Sequence, residues 1–224
     1  MQIYFVRHGR TQYNLEHRFQ GGNSDSPLID SGIAGGKAAG RRLQAVEFAQ
    51  VYSSPQKRAL DTAKYIVAEN QWQPEIIIEP RFQEFKFGTW DGKREEDVAP
   101  QSQKELLLHH PDQYQPELAG QGESYLDFVT RTTAAVHDAV NEAGVHNAQP
   151  ILVVSHGLVT TMTVKALLGI PVAKFRDPLY IDGKLMPTIG HGIVDNDSLT
   201  ILETHDNQQF DVKTWNETDY LPTD

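Results

Sequence analysis

Apolar residues follow two different periods along this chain, and the switches between them mark its elements. Short runs at residues 3–6, 49–53, 75–79, 151–154 and 198–203 are dense in Val, Ile, Leu, Phe and Tyr, the composition of buried strands. Between these runs the spacing lengthens to three and four. Residues 32–46 predict a helix with Leu43 and Val46 on one side, although four glycines lower its intrinsic propensity. Ser54 offers an N-cap and Pro55 a first helical position. The helix they open runs to about residue 69, with Ala59, Leu60, Ala63, Ile66 and Val67 on its apolar face. Ser124-Tyr-Leu-Asp127 has the form of a capping box. Its helix extends to about residue 143, with Tyr125, Phe128, Val129, Thr132, Val136 and Val140 facing inward. A further helix at residues 158–168 is stopped by Gly169 and Pro171. Strands alternating with helices predict an α/β layer fold around a mainly parallel sheet.

Three stretches lie outside this alternation. Residues 10–29 hold Gly21, Gly22 and the turn-like Asn23-Ser-Asp-Ser-Pro27, and predict a loop. Residues 80–122 combine a Phe/Trp-rich segment, the acidic Arg94-Glu-Glu-Asp97, and Pro100, Pro111 and Pro116. They are expected to form an insertion over one end of the sheet, within a single domain spanning residues 1–224. Residues 171–197 carry Gly and Pro at several places and predict no regular element.

Composition narrows the classes. Hydrophobic residues make up 39% of 224, enough for a core, and no apolar run approaches the roughly 20 residues of a membrane helix. The chain opens on a strand and not on the basic and apolar regions of a secretory signal. There is no cysteine, which excludes disulfides and thiolate chemistry and fits the expected cytoplasmic location. A formal charge of −10 argues against nucleic acid as a partner. An acidic protein still holds an anion where a cleft is locally positive. Nothing in the pattern specifies an oligomer.

Two strands end alike. Val6-Arg7-His8-Gly9 and Val154-Ser155-His156-Gly157 each run from apolar residues directly into a histidine and a glycine. Open α/β sheets place their sites just past the carboxyl ends of parallel strands. Arg58 stands on the first turn of the helix after Tyr52-Ser-Ser-Pro55. Two arginines and two histidines beside a helix N-terminus describe an anion pocket, because backbone amides and the helix dipole add to the side-chain charge. Guanidinium forks match phosphate oxygens in particular.

In such a pocket a histidine beside phosphorus acts as a nucleophile through one ring nitrogen, while the other carries its proton against an acceptor. Neighbouring cations favour the neutral form that His8 would need. Transfer leaves an alkoxide, so a carboxyl group must supply a proton. Glu84 is the candidate; Asp91, Glu95 and Glu96 compete, and spacing does not separate them. Arginines would take the charge-stabilising part that magnesium plays in many phosphoryl transfers. Each residue also has a structural reading: Arg7 and Arg58 as ordinary salt-bridge partners, His156 as a satisfied buried histidine. A metal held by His8 and His156 is not expected, since Arg7 would repel a divalent cation.

The residues extend into a longer pattern. Arg7-His-Gly-Arg-Thr-Gln-Tyr-Asn14 is followed by Arg18-Phe-Gln-Gly21, then Asp25-Ser-Pro-Leu28 and Gly32. Tyr52-Ser-Ser-Pro55 comes with Arg58, Ala59, Thr62 and Ala63; Glu84 comes with Phe87-Gly-Thr-Trp-Asp-Gly92. Gly122-Glu-Ser124, Ser155-His-Gly157 and Asn196-Asp-Ser-Leu-Thr200 complete the set. In this order, along nearly the whole chain, they resemble the histidine phosphatase superfamily, also called phosphoglycerate mutase-like. The resemblance implies a three-layer αβα sandwich and a covalent phosphohistidine on His8. It places Arg7, Arg58 and His156 around the phosphate, Glu84 as proton donor, and Asn14 and Gln20 or Gly21 as lesser substrate contacts.

Within the family, mutases dependent on 2,3-bisphosphoglycerate follow the proposed acid with Arg-His-Tyr-Gly and grip the substrate carboxylate with an adjacent arginine pair. Here Phe85-Lys-Phe-Gly88 follows Glu84, and Lys93 and Arg94 are the only clustered bases in residues 93–122. The Phe-Gly-Thr-Trp-Asp-Gly stretch resembles the broad-specificity phosphatase branch. The expectation is therefore a phosphomonoester hydrolase acting on a small phosphorylated metabolite without a cofactor. The alternative is a phosphoglycerate mutase using 2,3-bisphosphoglycerate. A third reading, a protein that holds phosphorylated ligands without turnover, would call for a missing nucleophile or acid, and neither is missing. Arg10 stands where Glu is common and is expected to alter the rim of the pocket. The long connection at residues 176–195 is expected to bring His191 or Lys184 near the site.

Overall fold

A computed structural model describes residues 1–188 and 192–223. The strands are β1 (Gln2–Arg7), β2 (Gln50–Ser53), β3 (Ile76–Ile78), β4 (Ile151–Ser155), β5 (Leu179–Ile181), β6 (Lys184–Met186), β7 (Leu199–Thr204) and β8 (Phe210–Glu217). The helices are α1 (Gln12–Leu15), α2 (Asp30–Arg42), α3 (Lys57–Glu69), α4 (Gln101–His109), α5 (Tyr125–Ala143) and α6 (Gly157–Leu167).

Side chains alternate across a strand, and here both faces of the sheet are apolar. Ile3, Phe5, Ile151 and Val153 pack on one side with Phe128, Val136 and Val140 of α5 and Val159 and Met162 of α6. Val6, Val51, Leu152 and Val154 pack on the other with Ala39 of α2, Leu43, and Ala63 and Ile66 of α3. The result is a three-layer αβα sandwich. The six-stranded sheet has the order β3-β2-β4-β1-β7-β8. Its β3–β2, β2–β4 and β4–β1 pairings are parallel, while β7 and β8 add an antiparallel edge. β5 and β6 form a separate two-stranded sheet.

Of the capping box expected at α5 the N-cap half is present: Ser124 Oγ accepts the Asp127 N–H at 3.1 Å, while the Asp127 carboxylate accepts the Ser124 hydroxyl at 2.7 Å. All six residues expected on its inner face are buried. The glycines of α2 have a packing reason. A Cβ at Gly40 would lie 2.9 Å from Glu69 Cβ and 3.1 Å from Ile66 Cα, so this glycine lets α2 lie close against α3, while Gly32 and Gly35 make room for Arg10 and Asp197. The helix stops at Arg42, and Leu43, expected inside it, serves as its C-cap and stays buried.

Residues 80–122 fold as three single 3-10 turns and α4 around an aromatic cluster. Phe85 touches Phe87, Tyr114, Tyr125 and Phe128 with ring centroids 5.1–6.2 Å apart, and Trp90 is buried beside Phe19. The least regular part of the sequence is thus held by ring packing.

Candidate active site

β1 and β4 run parallel with Arg7 opposite Ser155. One residue further, His8 and His156 leave the sheet side by side, with ring centroids 5.2 Å apart. The His8 N–H still donates to the Ser155 carbonyl at 2.9 Å, which ties the residue to the strand end. His8 Nδ1 lies 2.8 Å from the Gly9 carbonyl. A carbonyl only accepts, so Nδ1 carries the proton and Nε2 keeps its lone pair. Arg58 Nε donates to that Nε2 at 3.3 Å. Burial, followed by the charges of Arg58 and Arg7, holds the His8 pKa well below its ordinary value. The imidazole is neutral at pH 7.

Arg58 is fully buried on the first turn of α3. Its Nη1 donates to the Ser24 carbonyl at 2.9 Å and to Asp25 Oδ1 at 3.1 Å, and its Nη2 to the Gln20 carbonyl at 3.1 Å. The salt-bridge reading and the pocket reading therefore both describe this side chain. Arg7 Nη1 donates to the Val194 carbonyl at 2.7 Å, while its buried Nε has no partner among the described residues. Burial lowers the Arg7 pKa to about 10, which still leaves it charged at pH 7. Gly157 follows His156 for a steric reason: a Cβ there would lie 3.2 Å from Arg7 Nε and 3.0 Å from Ile193 Cδ1.

His156 Nε2 is 2.7 Å from Ser54 Oγ, and its buried Nδ1 has no partner among the described residues. This corrects the expected start of α3. Ser54 is not the N-cap and Pro55 is not the first helical residue; the N-cap is Gln56 and the helix begins at Lys57. The Ser54 Oγ lies at 2.7 Å from His156 Nε2 and accepts the N–H of Gln56 at 3.4 Å, one residue before the helix.

Glu84 Oε1 accepts the Phe85 N–H at 2.8 Å and its Oε2 accepts the Leu158 N–H at 3.2 Å. These bonds and the nearby arginines favour the carboxylate, but burial outweighs them and raises the pKa. The competing acids are placed differently. Asp91 Oδ1 accepts the Gly21 N–H at 2.6 Å and the Ser24 hydroxyl at 3.1 Å, and Glu96 is exposed. Glu95 lines the same cavity as Glu84 but comes from beyond the aromatic turn.

The pattern described as the histidine phosphatase superfamily, branch 1, matches residues 3–218. The chain belongs to that superfamily. It is an enzyme of the histidine phosphatase and phosphoglycerate mutase family. It is similar to a protein of Mycolicibacterium vanbaalenii named glucosyl-3-phosphoglycerate phosphatase, with 31% identity over 176 residues covering 76% of each chain. It is also similar to one of Proteus mirabilis named probable phosphoglycerate mutase GpmB, with 30% identity over 174 residues covering 76% of each. Among solved structures, Bacillus stearothermophilus YhfR superposes with a TM-score of 0.84 at 28% identity, covering 99% of both chains.

The residues expected as lesser contacts are divided between cavity and scaffold. Asn14 and Gln20 line a cavity of about 140 Å³ together with Arg7, His8 and Glu84. Asn14 Oδ1 accepts from Asn196 Nδ2 at 3.3 Å, and the same Asn196 nitrogen donates to the His8 carbonyl at 3.0 Å. Gly21 belongs to the scaffold: its N–H donates to Asp91, and its carbonyl accepts from Gln56 Nε2 at 2.6 Å. Gln56 was not anticipated from sequence, yet it joins the two loops of the site, because its Oε1 accepts the Glu84 N–H at 2.9 Å. A buried glutamine at a helix start beside Arg58 is the only local signal for it.

A second cleft of about 780 Å³ shares Arg7, Asn14, Arg18, Glu95 and Ile193 with the first. Arg10, expected to alter the pocket rim, is exposed and lines this second cleft and not the cavity that holds His8 and Glu84. Lys184 is exposed on β6 and lines neither cleft; Arg176 and Ile193 are what the 176–195 connection brings to the cavity. His191 lies outside the described residues. Among the described residues, no group of three or more His, Asp or Glu side chains is placed to hold a metal ion, and no helix is long and apolar enough to cross a membrane.

Proposed function

We propose that the protein is a phosphomonoester hydrolase that passes through a covalent phosphohistidine on His8. One observation carries this reading. Two buried donors, Arg7 Nε and His156 Nδ1, have no partner among the described residues and stand beside a neutral imidazole whose Nε2 holds a lone pair. When the Ser54 hydroxyl donates to His156 Nε2, Nδ1 bears the proton and can be given to an anion. Buried donors without acceptors are costly, and a phosphate oxygen at each relieves that cost.

In the first step His8 Nε2 attacks phosphorus, the P–O bond to the alcohol breaks, and the leaving oxygen takes the proton of the Glu84 carboxyl group. Arg7, Arg58 and His156 stabilise the charge on the transferring oxygens. The Gly9 carbonyl holds the Nδ1 proton as the ring becomes cationic. In the second step the Glu84 carboxylate takes a proton from water, the oxygen attacks phosphorus, and the N–P bond breaks to release phosphate and neutral His8. Asn14 and Gln20 serve as lesser contacts to the phosphate.

Relatives named as a phosphatase and as a mutase both match, so the choice between the two rests on the leaving-group side. Phe87 and Leu107 and Leu108 of α4 line the cavity with Arg18 and Arg176, which are far apart in sequence, whereas Lys93 and Arg94, the clustered bases of residues 93–122, do not. The phosphatase reading follows, with a small phosphorylated metabolite as substrate. A panel of phosphorylated metabolites, assayed for phosphate release with and without 2,3-bisphosphoglycerate and a chelator, tests it. Release is expected under all conditions. Interconversion of phosphoglycerates that appears only with 2,3-bisphosphoglycerate would establish the mutase.

A further inference from the structure

A lysine is rarely buried without partners, since its ammonium must keep acceptors for its three N–H groups. Lys165 is buried on α6, the helix that starts directly after His156. Its Nζ donates to the Phe175 carbonyl at 2.6 Å and to the Asp177 carbonyl at 2.7 Å. These two carbonyls flank Arg176. The Arg176 side chain turns to Tyr125, with Nε at 2.9 Å and Nη2 at 2.6 Å from the phenol oxygen. Tyr125 is fixed in turn by its own donation to the Leu107 carbonyl at 2.8 Å. The chain of contacts runs from the site helix, through the turn at residues 172–177, to a guanidinium on the wall of the cavity that holds His8 and Glu84.

Resting on the phosphatase reading above, we propose that Arg176 recognises a second anionic group on the alcohol part of the substrate, and that Lys165 is the residue that positions it. The alcohol must lie toward Glu84, because its oxygen receives the Glu84 proton. Glu84 and Arg176 line the same cavity, and the ring of Tyr125, which receives Arg176, packs 5.1 Å from that of Phe85, the residue next to Glu84. Phe87, Leu107, Leu108 and Leu158 line that cavity too, together with polar residues that include Arg18, Gln20 and Glu95. A flat or aliphatic body ending in a carboxylate or phosphate fits, with its body on the leucines and its charge at the guanidinium. Because Lys165 and Tyr125 hold the turn and the side chain in place beforehand, little ordering is left for the substrate to supply.

The test compares phenyl phosphate with 4-carboxyphenyl phosphate. The wild-type enzyme is expected to favour the carboxylated ester in kcat/KM. Arg176→Gln should reduce that preference about tenfold, the scale of one charged hydrogen bond, chiefly through KM. Arg176→Lys should restore part of it. Lys165→Met and Tyr125→Phe should lower the same ratio, a change that simple loss of stability does not produce because it affects both esters alike. Should Lys165→Met fail to fold, Arg176→Gln alone decides. Equal kcat/KM for the two esters in the wild type, or an Arg176→Gln enzyme that keeps the wild-type ratio, would overturn the inference. Hydrolysis of neither ester would overturn the phosphatase reading itself, and this inference with it.

Discussion

His8 and Glu84 need opposite protonation states, and their surroundings move each pKa in the required direction. Burial and two guanidinium groups lower His8 below 6.5, so the neutral nucleophile persists as pH falls through that value and is lost only further down. Burial raises Glu84 above 4.5, so its acid form persists above that value and is lost as pH rises further. The pH profile of kcat/KM should therefore be a bell whose acid limb lies below 6.5 and whose alkaline limb lies above 4.5. Glu84→Gln should remove the alkaline limb. It should also slow an alkyl phosphate about 10²–10⁴-fold, and p-nitrophenyl phosphate much less, because nitrophenolate leaves without a proton. An alkaline limb that survives Glu84→Gln would assign the acid to another group. At this scale the sequence disclosed the two histidines, since each directly follows an apolar strand. Spacing alone did not separate Glu84 from Asp91, and only the family resemblance named Glu84. That choice depends on which acid has its oxygens engaged by Gly21 and Ser24, partners about 70 residues away.

The in-register pairing of β1 with β4 is what makes two distant His-Gly pairs one site. Strands with continuous apolar runs were legible, as was α5 with its Ser124 N-cap. α6 is buried from Gly157 to Lys165, and only its length and its Gly/Pro stop distinguished it from a strand. β8 was not legible: it is an edge strand rich in polar residues, and a register irregularity against β7 breaks its alternation. The loss of helix propensity inferred for α2 missed the close packing of its glycines, with Gly40 against α3 and Gly32 and Gly35 against Arg10 and Asp197. Gly40→Leu should therefore destabilise the fold by about 1–3 kcal/mol, the usual cost of overpacking, despite a gain in propensity. Denaturant unfolding measures this. An unchanged or raised midpoint would show that the two helices separate freely.

Over the whole molecule, a net charge of −10 coexists with a cavity lined by Arg7, Arg18 and Arg176, with Arg58 donating to His8. The overall field repels a phosphate ester, and only the local one retains it. That concentration of cations is assembled from segments spread over the chain, which is why no single stretch of sequence displays it. The central claim is that this field serves a covalent step on one nitrogen. Rapid quenching of the enzyme with a radiolabelled phosphomonoester, followed by digestion, measures that directly. The account predicts one phosphoryl group on His8, stable to alkali and labile to acid, that forms at least as fast as turnover and is absent with its activity in His8→Ala. Turnover with no phosphoenzyme, with the label on another residue, or at full rate in His8→Ala would contradict it.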